Sequence, residues 1–174
     1  MMQLRDFESL PASSKLWVVA LSLPLTETQA KSLEQSLENL LSHWAHKGQH
    51  YAPAYSILFN QVILIAEESM AHEASGCAID GLMRKFGMIV TSLSLKVVNP
   101  TESILWTNDH KDLRVSSKSD IPHLIAKKEL KATSLIADFG LETLEQLATQ
   151  GLFRICSTTW LGRKYFQDAV STVN

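Results

Sequence analysis

Tyr55-Ser56-Ile57-Leu58-Phe59 and Val62-Ile63-Leu64-Ile65-Ala66, with Asn60-Gln61 between them, are the residues on which the fold turns. Both runs are dense in β-branched and aromatic side chains, which suit buried, pleated strands. As two strands they form a tight hairpin closed at Asn60-Gln61. As one they form a single long strand, since Asn-Gln is a poorer turn pair than Asn-Gly. The hairpin places two antiparallel neighbours in mid-chain and sets the order of everything around them.

Towards the N-terminus, Leu16-Trp17-Val18-Val19-Ala20-Leu21 reads as a buried strand after the loop Pro11-Ala12-Ser13-Ser14. Pro24 ends it. Thr26 with Gln29 three residues later fits a capping box. Leu33, Leu37, Leu40, Leu41 and Trp44 then recur on one face, so a helix is predicted from Glu27 to Lys47, ending near Gly48. Towards the C-terminus, the stretch Glu67 to Ser75 leads into a second helix whose stripe is Ile79, Leu82, Met83, Phe86, Ile89 and Val90. Ser103-Ile104-Leu105-Trp106-Thr107 is the next strand.

The order βαββαβ predicts an α+β fold, a two-layer sandwich with a ferredoxin-like core over residues 15–108. Residues 109–174 read as a mainly helical extension of the same single domain. Ser119-Asp120-Ile121-Pro122 opens a helix running to about Leu130, Leu135-Ile136-Ala137 adds an edge strand, and Leu141, Leu144, Leu147 and Ala148 mark a helix ending near Gly151. There is no internal repeat, low-complexity tract or linker.

With 174 residues, 45% apolar and 20% charged, the chain has enough apolar material for one sizeable core. A net charge of -2 gives no broad positive field, and the Lys127, Lys128, Lys131 cluster is interrupted by Glu129, so no nucleic-acid partner is expected. The apolar run Leu16 to Leu25 is preceded by Asp6 and Glu8 and broken by Pro24. It is neither an export signal nor a span, and no run reaches the ~20 residues a bilayer requires. Cys77 and Cys156 form neither a disulfide framework nor a paired ligand motif, so reduced thiols in a cytoplasmic protein without a membrane partner are expected.

Ala74-Ser75-Gly76-Cys77-Ala78-Ile79-Asp80 stands where the second helix begins. A thiol in a first helical turn lies near unpaired N–H groups and the positive end of the macrodipole. Ser75, Gly76, Cys77, Ala78 and Asp80 are therefore the candidate ligand-binding residues, and Cys77 is the candidate nucleophile. The alternative is packing, with small residues letting the helix approach the sheet and Cys77 acting as a modest hydrophobe. Gly76 and Gly81 have P-loop spacing, but Leu82 and Met83 follow where Lys and Ser/Thr are required, which excludes nucleotide hydrolysis by this segment. His43, His46 and His50 cluster where the first helix ends; helix-end histidines account for them, and no metal or other cofactor is assigned. Trp160, Arg163 and Phe166 form a C-terminal aromatic and cationic group suited to core closure or a homodimer interface.

The thiol segment, Trp17, the Pro24 to Glu27 stretch, and Thr159-Trp160 with Arg163 and Phe166 together resemble a family of short uncharacterised bacterial proteins. Some members carry an automatic label as ABC transporter ATPases. The resemblance covers most of the chain, and its sharpest motif is Ser75-Gly76-Cys77-x-Ile79-Asp80. In those relatives a Lys-Ser pair follows the Asp, whereas Gly81-Leu82 stand here, so any role of that lysine does not carry over. The missing P-loop speaks against the ATPase label. What the resemblance implies is a shared fold and a shared pocket at Cys77. The functional expectation is a domain that binds a small anionic ligand or a protein partner; the alternative is a thiol-dependent enzyme or redox protein using Cys77.

Overall fold

The computed structural model describes residues 7–46, 49–50, 53–68 and 76–167. In chain order the elements are β1 (Lys15–Ala20), α1 (Glu27–Ser42), β2 (Ala45–His46), β3 (Gln49–His50), β4 (Pro53–Leu58), β5 (Val62–Glu67) and α2 (Gly76–Ser92). They continue with β6 (Ser103–Thr107), β7 (Leu113–Ser117), α3 (Ile121–Ala126), β8 (Leu135–Ala137), α4 (Leu144–Gln150), β9 (Phe153–Ile155) and α5 (Trp160–Tyr165). The chain is mixed α+β, and among the described residues no helix is long and apolar enough to cross a membrane. It divides into two compact units, Met1–Val97 with Leu141–Ala148 and Val98–Gly140 with Thr149–Asn174.

The first unit holds a three-stranded antiparallel sheet of order β1–β5–β4. The central question of the sequence resolves as a hairpin. The Gln61 N–H donates to Leu58 O at 3.0 Å, and Phe59 and Asn60 both take left-handed backbone angles, φ 54° and 52°. Two left-handed central residues are the turn whose twist matches paired strands. Buried Gln61 then ties the turn to the end of β1: its Nε2 donates to Leu21 O at 2.9 Å, and its own carbonyl accepts from the Leu21 N–H at 2.8 Å. Because β5 pairs with both β1 and β4, side chains align in rows across the sheet, Trp17–Ile65–Tyr55 and Val19–Ile63–Ile57. These rows share one core with Leu33, Leu37 and Leu41 of α1 and Leu82, Phe86 and Val90 of α2. Each fully buried Leu contributes roughly 1.5–3 kcal/mol.

The predicted capping box is present at α1, with the Gln29 N–H donating to Thr26 Oγ1 at 3.2 Å and the Thr26 N–H donating to Gln29 Oε1 at 3.1 Å. The helix stops at Ser42, five residues before the expected Lys47. Trp44 accounts for this. It is buried, meets Trp17 edge to face at 5.9 Å, and donates its Nε1–H to Ala78 O at 3.2 Å. Tertiary burial of one aromatic ring outweighs another helical turn.

The strand expected to complete this sheet lies elsewhere. Ser103–Thr107 is β6, and it pairs with β7 and β8 in the second unit's four-stranded antiparallel sheet of order β7–β6–β8–β9. Among the described residues, single bridges stand beside β1 in its place, Leu21 to Val97 and Lys15 to Thr143. Beyond residue 108 the chain contributes three strands, β7, β8 and β9, beside the helices α3, α4 and α5. Leu135–Ala137 is an interior strand where an edge strand was expected. Three-residue strands carry too little pattern to announce themselves. Here they are held by longer-range bonds: the Cys156 N–H donates to Ser134 O at 2.7 Å and the Ser157 N–H to Ala132 O at 2.9 Å. The unit's core joins Ile104, Trp106, Ile121, Leu130, Ile136, Cys156 and Leu161. Helix α3 begins at Ile121-Pro122 as predicted but ends at Ala126, where left-handed Lys128 (φ 59°) turns Leu130 into the core. Helix α4 ends before Gly151, whose φ of 74° suits glycine.

Candidate functional site

The thiol segment opens α2 at Gly76, and Ser75 lies outside the described residues. Gly76 and Cys77 are exposed, Ala78 is buried, and Asp80 is exposed one residue beyond the first turn. The Ala78 carbonyl is taken by Trp44, which anchors the helix start to the end of α1. A Cβ built on Gly76 or Gly81 would meet nothing within 4 Å, so close packing does not require glycine at either position. Cys77 is likewise too exposed to be a packing residue. What remains there is an exposed thiol in the first turn of α2.

The histidines do not share a helical face. His43 is the C-cap of α1, with its Nδ1 at 2.8 Å from Asn39 O, whereas His46 belongs to β2 and His50 to β3. Among the described residues no group of three His, Cys, Asp or Glu side chains is placed to hold a metal ion. Cys156, by contrast with Cys77, is fully buried in the second unit, and burial pushes its thiol up from an ordinary 9.0 to about 11.

The C-terminal aromatic and cationic group is split by the fold. Phe166 is half-buried against the second unit's core, while Trp160 and Arg163, one helical turn apart, line a cleft of about 370 Å³ in that unit. The cleft lies over the sheet face bearing Ile104 and Ile136, and it takes Lys118 from the turn after β7, Asp138 from the end of β8 and Arg154 from β9. Arg154 stands directly opposite Ile136, so it projects from the face that carries the core. Its Nη1 is 3.6 Å from Asp138 Oδ2, a loose ion pair, and Asp138 Oδ1 also accepts the Gly140 N–H at 2.9 Å. The Lys118 ammonium sits 5.3 Å from the centre of the Trp160 ring. Among the described residues neither Lys118 nor Arg163 is paired with a carboxylate. Three cations thus face one carboxylate, and two of the three have no acidic partner.

Local structure fixes these groups. The Lys118 N–H donates to Glu102 O at 2.8 Å, pinning the turn beside β6. Thr159 caps α5, accepting the Leu161 N–H at 3.2 Å while its hydroxyl donates to Cys156 O at 2.8 Å. Helix α5 seats against the turn 156–158 because residue 162 is glycine: a Cβ there would stand 2.0 Å from Ser157 O. Sequence reading singled out Trp160 and Arg163 but missed Lys118, Asp138, Arg154 and Gly162. They come from separate segments, and no spacing links them. The inward Arg154 on a short strand was the one local signal, since a charge at a core-facing position asks for a partner or for water.

Compared with known protein families, with curated protein sequences and with solved structures, the chain matches none.

Proposed function

We propose that this chain is a small-anion-binding module whose site is the Trp160 cleft of the second unit, and that it works in the cytoplasm, where its two free thiols stay reduced. One observation carries the reading: Lys118 and Arg163 reach a concave, partly apolar cleft, and among the described residues neither is paired with a carboxylate, Asp138 being set against Arg154. An inward charge on an edge strand also deters edge-to-edge aggregation, which accounts for Arg154 on β9. It does not account for Lys118 and Arg163, which sit on other elements. In the first unit the succession β1, α1, β4, β5, α2 supports reading it as the first five elements of a ferredoxin-like pattern. The helix start at Gly76 and Cys77 is the weaker anion site, because no side-chain cation or buried polar group converges on it among the described residues.

The test is binding of ribose 5-phosphate to the full chain by titration calorimetry at low and moderate salt. The wild type should bind, more weakly as salt rises. Lys118→Ala with Arg163→Ala should lose at least about tenfold in affinity, the loss of one charge-assisted hydrogen bond. Unchanged binding by that double variant would remove the cleft from consideration, and loss on Cys77→Ser would return the site to the helix start.

A further inference from the structure

We propose that the ligand of this cleft is a phosphate monoester carrying an aromatic ring; the inference rests on the anion-binding reading above and names the class of anion. The charge count gives the head group. With Asp138 set against Arg154, Lys118 and Arg163 leave two positive charges, and a phosphate monoester carries close to two negative charges at neutral pH. The planar guanidinium of Arg163 offers paired N–H donors that match phosphate oxygens, while Lys118 acts as a point charge.

The rest of the lining gives the body. A bare inorganic anion has no use for Ile104, Ile136, Ala137 and Phe139, yet these surround the cationic groups in the same cleft. Trp160 is 38% exposed, and its ring already attracts a cation to its face. A flat ring stacks on such a surface at little entropic cost, whereas a flexible chain must be ordered to fill it. Lys118 links the two halves: a phosphate is a stronger partner for its ammonium than the indole, so ligand binding moves the ammonium to the phosphate and frees the ring face for stacking.

The experiment titrates the full chain with adenosine 5′-monophosphate, ribose 5-phosphate and adenosine, three probes that carry both features, the phosphate alone and the ring alone. Adenosine 5′-monophosphate should bind about 5- to 150-fold more tightly than ribose 5-phosphate, the range given by one base–aromatic stack. Trp160→Ala should bring the two to near equality, and Trp160→Phe should restore most of the difference. Equal binding of the two phosphates by the wild type overturns the inference and leaves the anion reading standing. So does an affinity ratio that Trp160→Ala does not alter. Adenosine binding as tightly as its monophosphate overturns the phosphate half, and binding of no phosphate probe at all overturns the anion reading itself.

Discussion

The two units solve the same packing problem with opposite materials. The first buries a strand that is apolar from Val62 to Ala66 beneath helices of 16 and 17 residues, and its polar devices, the capping box and Gln61, serve its own backbone. The second has strands of three to five residues and helices of six, and it turns Arg154 onto its core-bearing face. The long elements bury an apolar core and confine buried charge, among the described residues, to Glu67 at the end of β5. Short ones leave a rim where charge persists, and the cleft forms there. The lesson is that a candidate site belongs where packing is incomplete and cations go unpaired, and a thiol at a helix start carries less weight.

The two cysteines give the sharpest way to break this comparison, with the largest expected effect. Cys77 stands exposed in the first unit, whereas Cys156 is at 0% exposure in the second unit's core. Iodoacetamide at pH 8 should label Cys77 in the folded protein. Cys156 should react at least about a thousandfold more slowly than in urea, because its labelling waits on opening of the core. The raised thiol adds a pH signature of fixed sign. Between 9.0 and about 11 the unfolded chain releases the Cys156 proton and the folded chain keeps it, so this contribution to stability is complete below pH 9 and is lost as pH climbs towards 11. Urea midpoints across that range should fall, and Cys156→Ala should flatten the fall. Fast native labelling of Cys156 would mean that the second unit opens readily, and its cleft could not then be a preformed site.

A smaller but still severe effect is expected at Gly162. An alanine methyl there would stand 2.0 Å from the Ser157 carbonyl oxygen, and what it meets is backbone, which cannot swing aside. Gly162→Ala should cost about 3 kcal/mol or more, beyond the usual range for overpacking. It should also abolish ribose 5-phosphate binding, since α5 carries both Trp160 and Arg163. A variant with unchanged urea midpoint and unchanged binding would show that α5 is free to shift and that Gly162 does not set the cleft.

How much of this was legible follows from the same contrast. The α1 cap was readable from Thr26 and Gln29 because capping is local chemistry. The stripes of both long helices were readable from period alone, with Leu33, Leu37, Leu82, Phe86 and Val90 all found buried. The hairpin was half readable: its strands were evident, but the turn uses Phe59 at a left-handed position that glycine or asparagine would normally advertise. The pairing of β6 was not readable, because Ser103–Thr107 suits either sheet and only the strands after it decide which. The cleft was least readable of all. Trp160 and Arg163 were noticed as a pair, but Lys118 and Arg154 reach them from 42 and 6 residues before Trp160, through tertiary structure alone.

The smallest expected effect reverses the sign of the Gly162 substitution and tests the comparison from the other side. Gly81 and Gly87 lie inside α2, and a Cβ on either would meet nothing within 4 Å. With no clash to oppose it, alanine at each position gains helix propensity and removes unfolded-chain freedom, so Gly81→Ala should stabilise the protein by roughly 0.5–1 kcal/mol. Urea unfolding should show a higher midpoint at unchanged slope, and the double variant Gly81→Ala with Gly87→Ala should approach the sum, because no shared packing partner couples the two sites. The same chemical change thus stabilises where a long helix stands clear of its neighbours and destabilises where a short one must press against backbone. If Gly81→Ala instead lowers the midpoint, something covers that face of α2, and the helix start at Cys77 becomes a contact surface to be mapped.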